Sequence, residues 1–328
     1  MTRAARDGMG KGIDSVNGIS ITTSSATYRL DPGRTVMGDC NVVSHAHSDH
    51  LPRGGNEQAV VASRETIALA RMRTGRDYSA ARHPSVKLLD AGHVPGSRMV
   101  LVKDDLSYLY TGDFCTKRKV YLHNARPVRT DVLFIESTYG LPKYRFPDPV
   151  ELAGVIRDWA ADTLNNGSSI LFSLYPLGKA QEIEVILRGM PLFAEESVAR
   201  HNSIVFGRDS GWIRPLSEMG GGPGIIISSG RNIYPQIQPQ VRRRMLRATA
   251  SGWSLEGRFS GGYDEAFPLS DHSDYYDLIE FVRRCSPSMV YTVHGFDMEL
   301  ASSIRRELGI EARPLRARRE KQRKIDSY

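Results

Sequence analysis

Short runs in which apolar and polar residues alternate dominate the first part of the chain. Ile19, Ile21, Tyr28 and Leu30 fall at strand spacing, and Val42-Val43-Ser44 ends a further strand. From Glu65 to Arg73 the period lengthens, with Ile67, Leu69 and Met72 on one face of a predicted helix. Ser85-Val-Lys-Leu-Leu reads as a strand that leads into Ala91-Gly92-His93. Met99-Val-Leu-Val and Leu106-Ser-Tyr-Leu-Tyr predict a hairpin around Lys103-Asp104-Asp105, and its second strand runs into Thr111-Gly112-Asp113. Asp131-Val-Leu-Phe-Ile predicts a buried strand ending at Glu136. Polar residues thus repeatedly follow apolar strands, which is how a sheet presents a site along one edge.

The pattern changes after Gly140-Leu-Pro-Lys-Tyr-Arg-Phe-Pro-Asp-Pro149, a proline-rich connector. A helix is predicted from about Pro149 to Leu164, a strand at Ser168–Ser173 and a helix at Lys179–Leu187. Strands are predicted at Ser203-Ile-Val-Phe and Gly224-Ile-Ile-Ile-Ser. Strand–helix–strand alternation predicts a small α/β unit with a parallel sheet. Short β elements follow between Trp253 and Phe267, then a helix at about Tyr275–Cys285 and the strand Met289–Val293. The first dozen residues and the charged C-terminal end read as disordered.

Composition narrows the class. The 328 residues are 40% hydrophobic and 25% charged, ordinary for a globular protein of about two domains. No run approaches the ~20 apolar residues of a membrane span, and the N-terminus lacks the apolar segment of a secretory signal. Cys40, Cys115 and Cys285 are scattered and odd in number, which predicts free thiols and a reducing, cytoplasmic location. The net charge of +7 is modest. Arg313, Arg316, Arg318, Arg319, Lys321, Arg323 and Lys324 concentrate it in the tail, and Arg242, Arg243, Arg244 and Arg247 form a second cluster. Each reads either as a solvated face or as a phosphate contact.

The densest chemistry lies in His45-Ala-His47-Ser-Asp49-His50, three imidazoles and a carboxylate within six residues. Imidazole and carboxylate are the ligands zinc and similar divalent ions prefer, and without a Cys-x-x-Cys pair a metal here must be held by them. His45 and His47, two apart in an extended loop, point the same way. His93 can complete a three-histidine site, Asp49 and His50 can start a second one, and Asp113 can bridge them; alone, His93 also reads as a polar loop residue and Asp113 as part of a Gly-Asp turn. Two metals ~3.5–4 Å apart activate a hydroxide and stabilise phosphoryl oxygens in a displacement.

These motifs together resemble the metallo-β-lactamase-fold hydrolases of the β-CASP nuclease group. The resemblance rests on His45-Ala-His47-Ser-Asp49-His50, Gly92-His93 and Gly112-Asp113. It rests also on Phe134-Ile-Glu136-Ser-Thr-Tyr-Gly140, Leu269-Ser-Asp271-His272-Ser-Asp274 and Val293-His294-Gly295, and on Leu177-Gly-Lys-Ala-Gln-Glu182. It implies an α/β chain, a metallo-β-lactamase αββα sandwich with an inserted compact α/β β-CASP domain. The core would comprise residues 1–145 and 256–312, the insertion 146–255, and the basic tail 313–328. It implies that His45, His47 and His93 bind one metal, that Asp49, His50 and His294 bind the other, and that Asp113 bridges them. Zinc is the expected ion, with manganese as the alternative. Asp49, His272 and Glu136 are the expected catalytic residues, Glu136 holding His272 by a hydrogen bond. Lys179, at a helix start, and Ser273 are the candidate substrate-binding residues. Asp271 is expected to organise the metal site.

Two branches of the family compete. His294 matches RNA-processing members. Glu136-Ser-Thr-Tyr-Gly-Leu-Pro-Lys-Tyr-Arg-Phe-Pro-Asp and Ala250-Ser-Gly-Trp-Ser resemble short prokaryotic exonucleases associated with ATP-dependent DNA ligases and helicases, also described as messenger-RNA 3′-end processing factors. The expectation is an exonuclease on DNA ends, a hydrolase of phosphodiester bonds with nucleic acid as partner, DNA ligase and helicase as functional partners, and no membrane. The alternatives are an RNA-processing nuclease and a catalytically inactive scaffold. A small-molecule lactamase or thioesterase would not need Glu136, His272 or the insertion.

Overall fold

The computed structural model describes residues 12–55, 57–230, 233, 237, 244–257, 259 and 261–315. The expected disorder of the first dozen residues bears almost wholly on residues outside that set. So do Arg242, Arg243 and the tail from Arg316 onward.

Two sheets stack in the first unit. Strands 13–14, 19–22, 27–30 and 40–42 form a four-stranded sheet in that order. The second has the order 311–314, 289–293, 132–136, 107–110, 98–103 and 86–90. The expected hairpin is present as the antiparallel pair 98–103 and 107–110. Strand 132–136 pairs in parallel with both 107–110 and 289–293.

Alternation along these strands decides the layers. Val132 and Phe134 face the four-stranded sheet, meeting Ile21, Tyr28, Leu30 and Val42. Leu133 and Ile135 face the other way, into the helices α5 and α6 defined below. Six α-helices occur among the described residues: α1 Arg64–Thr74, α2 Pro149–Asn165, α3 Lys179–Ile186, α4 Glu196–Val205, α5 Tyr275–Cys285 and α6 Asp297–Leu308. Local chemistry sets their ends. The Ser63 hydroxyl caps α1 by accepting from Thr66 N–H, and Gly75 closes it in the left-handed region. Asp148 caps α2, with Pro149 at the first helical position. Asp274 caps α5, accepting from the amides of Tyr276 and Asp277.

Between strand 132–136 and α5 the chain builds a second six-stranded sheet, all parallel. Its order is 214–215, 192–194, 225–228, 169–173, 245–250 and 265–267. Ile170, Phe172, Ile225 and Ile227 pack under α2 and α3, while Leu171 and Ile226 face the opposite side. Both faces are covered, as a parallel sheet requires. One expectation fails here. Ser203-Ile-Val-Phe is not a strand: residues 203–205 form the last turn of α4 and Phe206 ends it. Val198, His201 and Asn202 recur at helical spacing on its buried face, and Asn202 is tied by its side chain to Gln181 and Glu184 of α3. Residues 252–256 are likewise a 3-10 turn and not β structure.

No helix among the described residues is long and apolar enough to cross a membrane. Cys40, Cys115 and Cys285 are all free.

Candidate metal centre

Strand 40–42 delivers Val43 and Ser44 into the core, and His45 follows with no exposed surface. Its Nδ1 lies 2.9 Å from Ser44 Oγ, which leaves Nε2 directed at its neighbours. His45 Nε2 is 3.1 Å from His47 Nδ1, and His47 Nδ1 is 3.2 Å from His93 Nε2. Asp113 Oδ2 lies 3.5 Å from His45 Nε2 and 3.6 Å from His93 Nε2. These four atoms lie within 4.8 Å of one another. A zinc ion with bonds of about 2.0–2.1 Å has ligand-to-ligand edges of about 3.3–3.4 Å, and the four separations above bracket that value. Burial first, and then the neighbouring imidazoles, hold His45 and His93 well below the ordinary histidine range, so both present lone pairs.

The second cluster is more open. His50 Nε2 lies 3.6 Å from Asp113 Oδ2 and 3.7 Å from Asp49 Oδ2. Asp49 is 76% exposed, and the ring of exposed His294 is centred 5.6 Å from that of His50. Burial opposes charge on His50, yet Asp113 and Asp31 outweigh it and raise its pKa to about 10. His294 (φ 61°) and Gly295 (φ 49°) both turn left-handed after strand 289–293. A side chain at Gly295 would collide with the Ser137 carbonyl, so glycine lets the turn close over that strand.

A third group abuts the first. Glu136 ends strand 132–136 fully buried and accepts from His272 Nδ1 at 2.8 and 2.9 Å. Phe114 N–H and Thr138 Oγ1 also donate to it, which fixes the carboxylate plane. The His272 ring is centred 4.5 Å from His93. Asp113, Glu136 and His272 present ligand atoms within 4.8 Å of one another.

Comparison with known proteins agrees with this geometry. Residues 265–314 match a family model described as RMMBL, the Zn-dependent metallo-hydrolase RNA specificity domain. The chain is 31% identical over 293 residues to a probable DNA ligase of Opitutus terrae, covering 82% of this chain and 28% of that protein. It is 34% identical over 272 residues to the endoribonuclease ysh1 of Schizosaccharomyces pombe, covering 62% of this chain and 35% of that protein. The chain belongs to the metallo-β-lactamase-fold β-CASP nuclease family. A more distant similarity is to the DNA cross-link repair protein SNM1 of Arabidopsis thaliana, 23% identical over 295 residues, 76% of this chain and 59% of that protein. The chain thus spans about a third of the length of the first curated relatives it matches. Zinc is the metal of the matched family model, and the His/Asp donors of this β-CASP chain suit it.

Two expected substrate-binding residues sit elsewhere in their environment than the β-CASP motif pattern suggested. Lys179 does not await a phosphate. It is buried, and its ammonium binds Glu182 Oε2 at 2.8 Å and Asp271 Oδ1 at 3.0 Å. Ser273 is buried too; its backbone N–H donates to the Phe114 carbonyl and its hydroxyl accepts from Thr116 N–H. Both hold the walls of the site together, because an unpaired lysine or a bare hydroxyl at that depth would be costly.

Two residues absent from the motif reading complete the support. Asp31 turns left-handed (φ 46°) and accepts from Ser44 N–H and Oγ at 2.6 Å, His50 Nδ1 at 2.7 Å and Tyr110 Oη at 2.8 Å. It fixes the His50 tautomer with Nε2 free, as outer carboxylates do for metal-bound histidines. Leu30-Asp31-Pro32-Gly33 reads only as a turn. Buried Lys119 binds Asp271, lies 3.6 Å from Glu182 and donates to the His93 carbonyl at 3.0 Å. Asp271 in turn offers its backbone carbonyl to His93 Nδ1 at 3.0 Å. Lys119, Lys179, Glu182 and Asp271 thus form a charge-balanced cluster behind His93, joining the first unit to the parallel-sheet unit. At the same seam the Leu177 carbonyl reaches His47 Nε2 at 3.4 Å, and Gly178 (φ 98°) has no room for a side chain against Val94. Lys179→Met is therefore expected to destabilise the fold by about 3–5 kcal/mol, since it leaves the Glu182 and Asp271 carboxylates to one lysine. Denaturant unfolding checks this, and a loss below ~1 kcal/mol would show the cluster to be mobile.

Proposed function

We propose that the chain is a metal-dependent phosphodiesterase that degrades nucleic acid from a DNA end. The cluster of His45, His47, His93 and Asp113, set directly beside the Glu136–His272 pair, carries this reading. In it the parallel-sheet unit is the β-CASP domain. Its sheet takes in the strand 265–267, beyond residue 255.

His45, His47 and His93 would hold one divalent ion and Asp49, His50 and His294 the other, with Asp113 between the two sets. Bound there, the ions supply Lewis acidity that polarises phosphoryl oxygens and lowers the pKa of water. Asp49 accepts a proton from the attacking water. A P–O bond forms to that water, and the bond to the leaving oxygen breaks. His272, held by Glu136 through Nδ1, donates the proton that oxygen needs. The result is one phosphate-ended and one hydroxyl-ended fragment.

Burial disfavours the His272 imidazolium, but the Glu136 carboxylate outweighs this and raises its pKa to about 9. His272 is therefore protonated below that pH and loses its proton above it. Bound cations lower the value, so the alkaline limb of activity falls at or below pH ~9. Glu136→Gln removes the largest raising influence and is expected to move that limb to lower pH. An unmoved limb would sever the link between the two residues.

Relatives favour opposite substrates. One is named a DNA ligase and another an endoribonuclease, and the matched model is described as an RNA specificity domain. The last supports the second reading, an RNA-processing nuclease. The DNA reading brings DNA ligase and helicase as functional partners and a cytoplasmic location, with which three free thiols agree. The deciding experiment digests matched 5′- and 3′-labelled single-stranded DNA and RNA with zinc or manganese, beside Asp49→Ala. Stepwise loss of DNA from one end, absent in the variant, is the expected result. Cleavage confined to RNA supports the second reading, and no cleavage of either would sink both.

A further inference from the structure

On the flank of the metal loop lies a pocket whose charge the metal site does not use. It is a cavity of about 350 Å³ between the residues after His47, the end of α1 and helix α4 of the parallel-sheet unit. Ser48, Arg53, Arg73, Arg76, Arg200 and His201 line it. Four guanidinium groups in so small a space repel one another unless something negative joins them.

The protein's own groups do little to neutralise them. Arg53, Arg73 and Arg76 make no ion pair among the described residues. Arg200 reaches only the exposed Glu196, at 4.0 Å. Arg73 and Arg76 are instead held by neutral acceptors. Arg76 Nη1 donates to the Pro52 carbonyl at 3.1 Å. Arg73 Nη1 donates to His201 Nε2 at 3.1 Å, and His201 Nδ1 donates to the Ser197 carbonyl at 2.7 Å. That carbonyl fixes the His201 tautomer with Nε2 as acceptor. The buried Nε of Arg73 has no hydrogen-bond partner. Burial works against the charge on Arg73, and Asp49, assigned above to the second metal, offsets this only in part and without pairing with it. An arginine positioned by an uncharged ring keeps its full charge for a ligand, and its planar fork matches phosphate geometry.

We infer that this pocket is a phosphate subsite, which seats one backbone phosphate of the substrate strand beside the scissile bond. Ser48 joins it to the metal loop, so a strand held here is held in register with His47 and Asp49. Arg53 and Arg76 approach from the first unit and Arg200 from the parallel-sheet unit, so the strand bridges the two. The inference rests on the nuclease reading and deepens it.

The test measures binding separately from cleavage. His272→Ala chain with zinc is titrated with single-stranded DNA and RNA over a range of salt, alone and combined with either Arg73→Gln or the exposed pair R53Q/R200Q. A control, R283Q/R284Q, removes as much charge as the exposed pair, from the last turn of α5. Each pocket variant is expected to bind about ten-fold more weakly at low salt and to flatten the log–log salt slope by about 0.7, the value for one single-strand phosphate. The control is expected to leave the slope as it was. Tight binding with an unchanged slope in both pocket variants would overturn the subsite and leave the nuclease reading standing. Equal flattening in the control would also overturn it, because only net charge would then be at work. Failure of the parent chain to bind either nucleic acid would overturn both.

Discussion

Asp113→Ala is expected to remove metal and activity together. Its Oδ2 lies within 3.6 Å of a ring nitrogen of each of His45, His50 and His93, so it touches both clusters at once. Burial works against its charge, yet His50 and His272 hold its carboxyl well below the usual range, and it is an anion throughout the working pH. Without it the imidazoles face one another with no negative charge between them, and two dications must approach unshielded. Metal content by elemental analysis is expected to fall from two ions to one or none. Cleavage is expected to fall by about a thousand-fold or more. Two retained ions with near-normal cleavage would show that Asp113 bridges nothing.

His272→Ala is expected to separate the two properties. Its ring falls in a separate group with Asp113 and Glu136, and its Nδ1 is committed to Glu136. The variant should keep both ions and lose about 10²–10⁴-fold in rate, the ordinary contribution of a positioned proton donor. The loss should depend on the leaving group. A p-nitrophenyl phosphodiester, whose leaving oxygen needs no proton, should be cleaved almost as well as by the parent chain. Loss of both metals in His272→Ala would refute the role, and so would an equal loss on both substrates. The second outcome would mean that His272 binds a phosphate oxygen and does not protonate the leaving group.

Much of this site is legible before any folding is considered. His45, His47, Asp49 and His50 lie within six residues, so their proximity follows from chain connectivity alone. The ends of strands 107–110, 132–136 and 289–293 carry Asp113, Glu136 and His294 just beyond or at their last residue, and parallel pairing brings those ends together. Alternating apolar residues mark those strands plainly. The run Ser203-Ile-Val-Phe misled because a short β-branched stretch has no decisive period, and its helical role rests on buried Asn202 and its partners in α3.

The sequence by itself determined the ligand chemistry, the order of the site motifs and most of the elements that carry them, because these depend on residue types and short-range periodicity. Only the tertiary structure decided what each charge faces. Lys179 at a helix start reads the same whether it meets a phosphate or two carboxylates; burial beside Glu182 and Asp271 chose the second. Asp31 reads as a turn, and becomes the anchor of His50 only when strands 27–30 and 40–42 pair in parallel. Arg53, the Arg73–Arg76 pair and Arg200 lie apart along the chain, and no local pattern joins all four. Their shared pocket exists because α4 packs beside α1, and the electrostatics of a site follow distance in space, not distance in sequence.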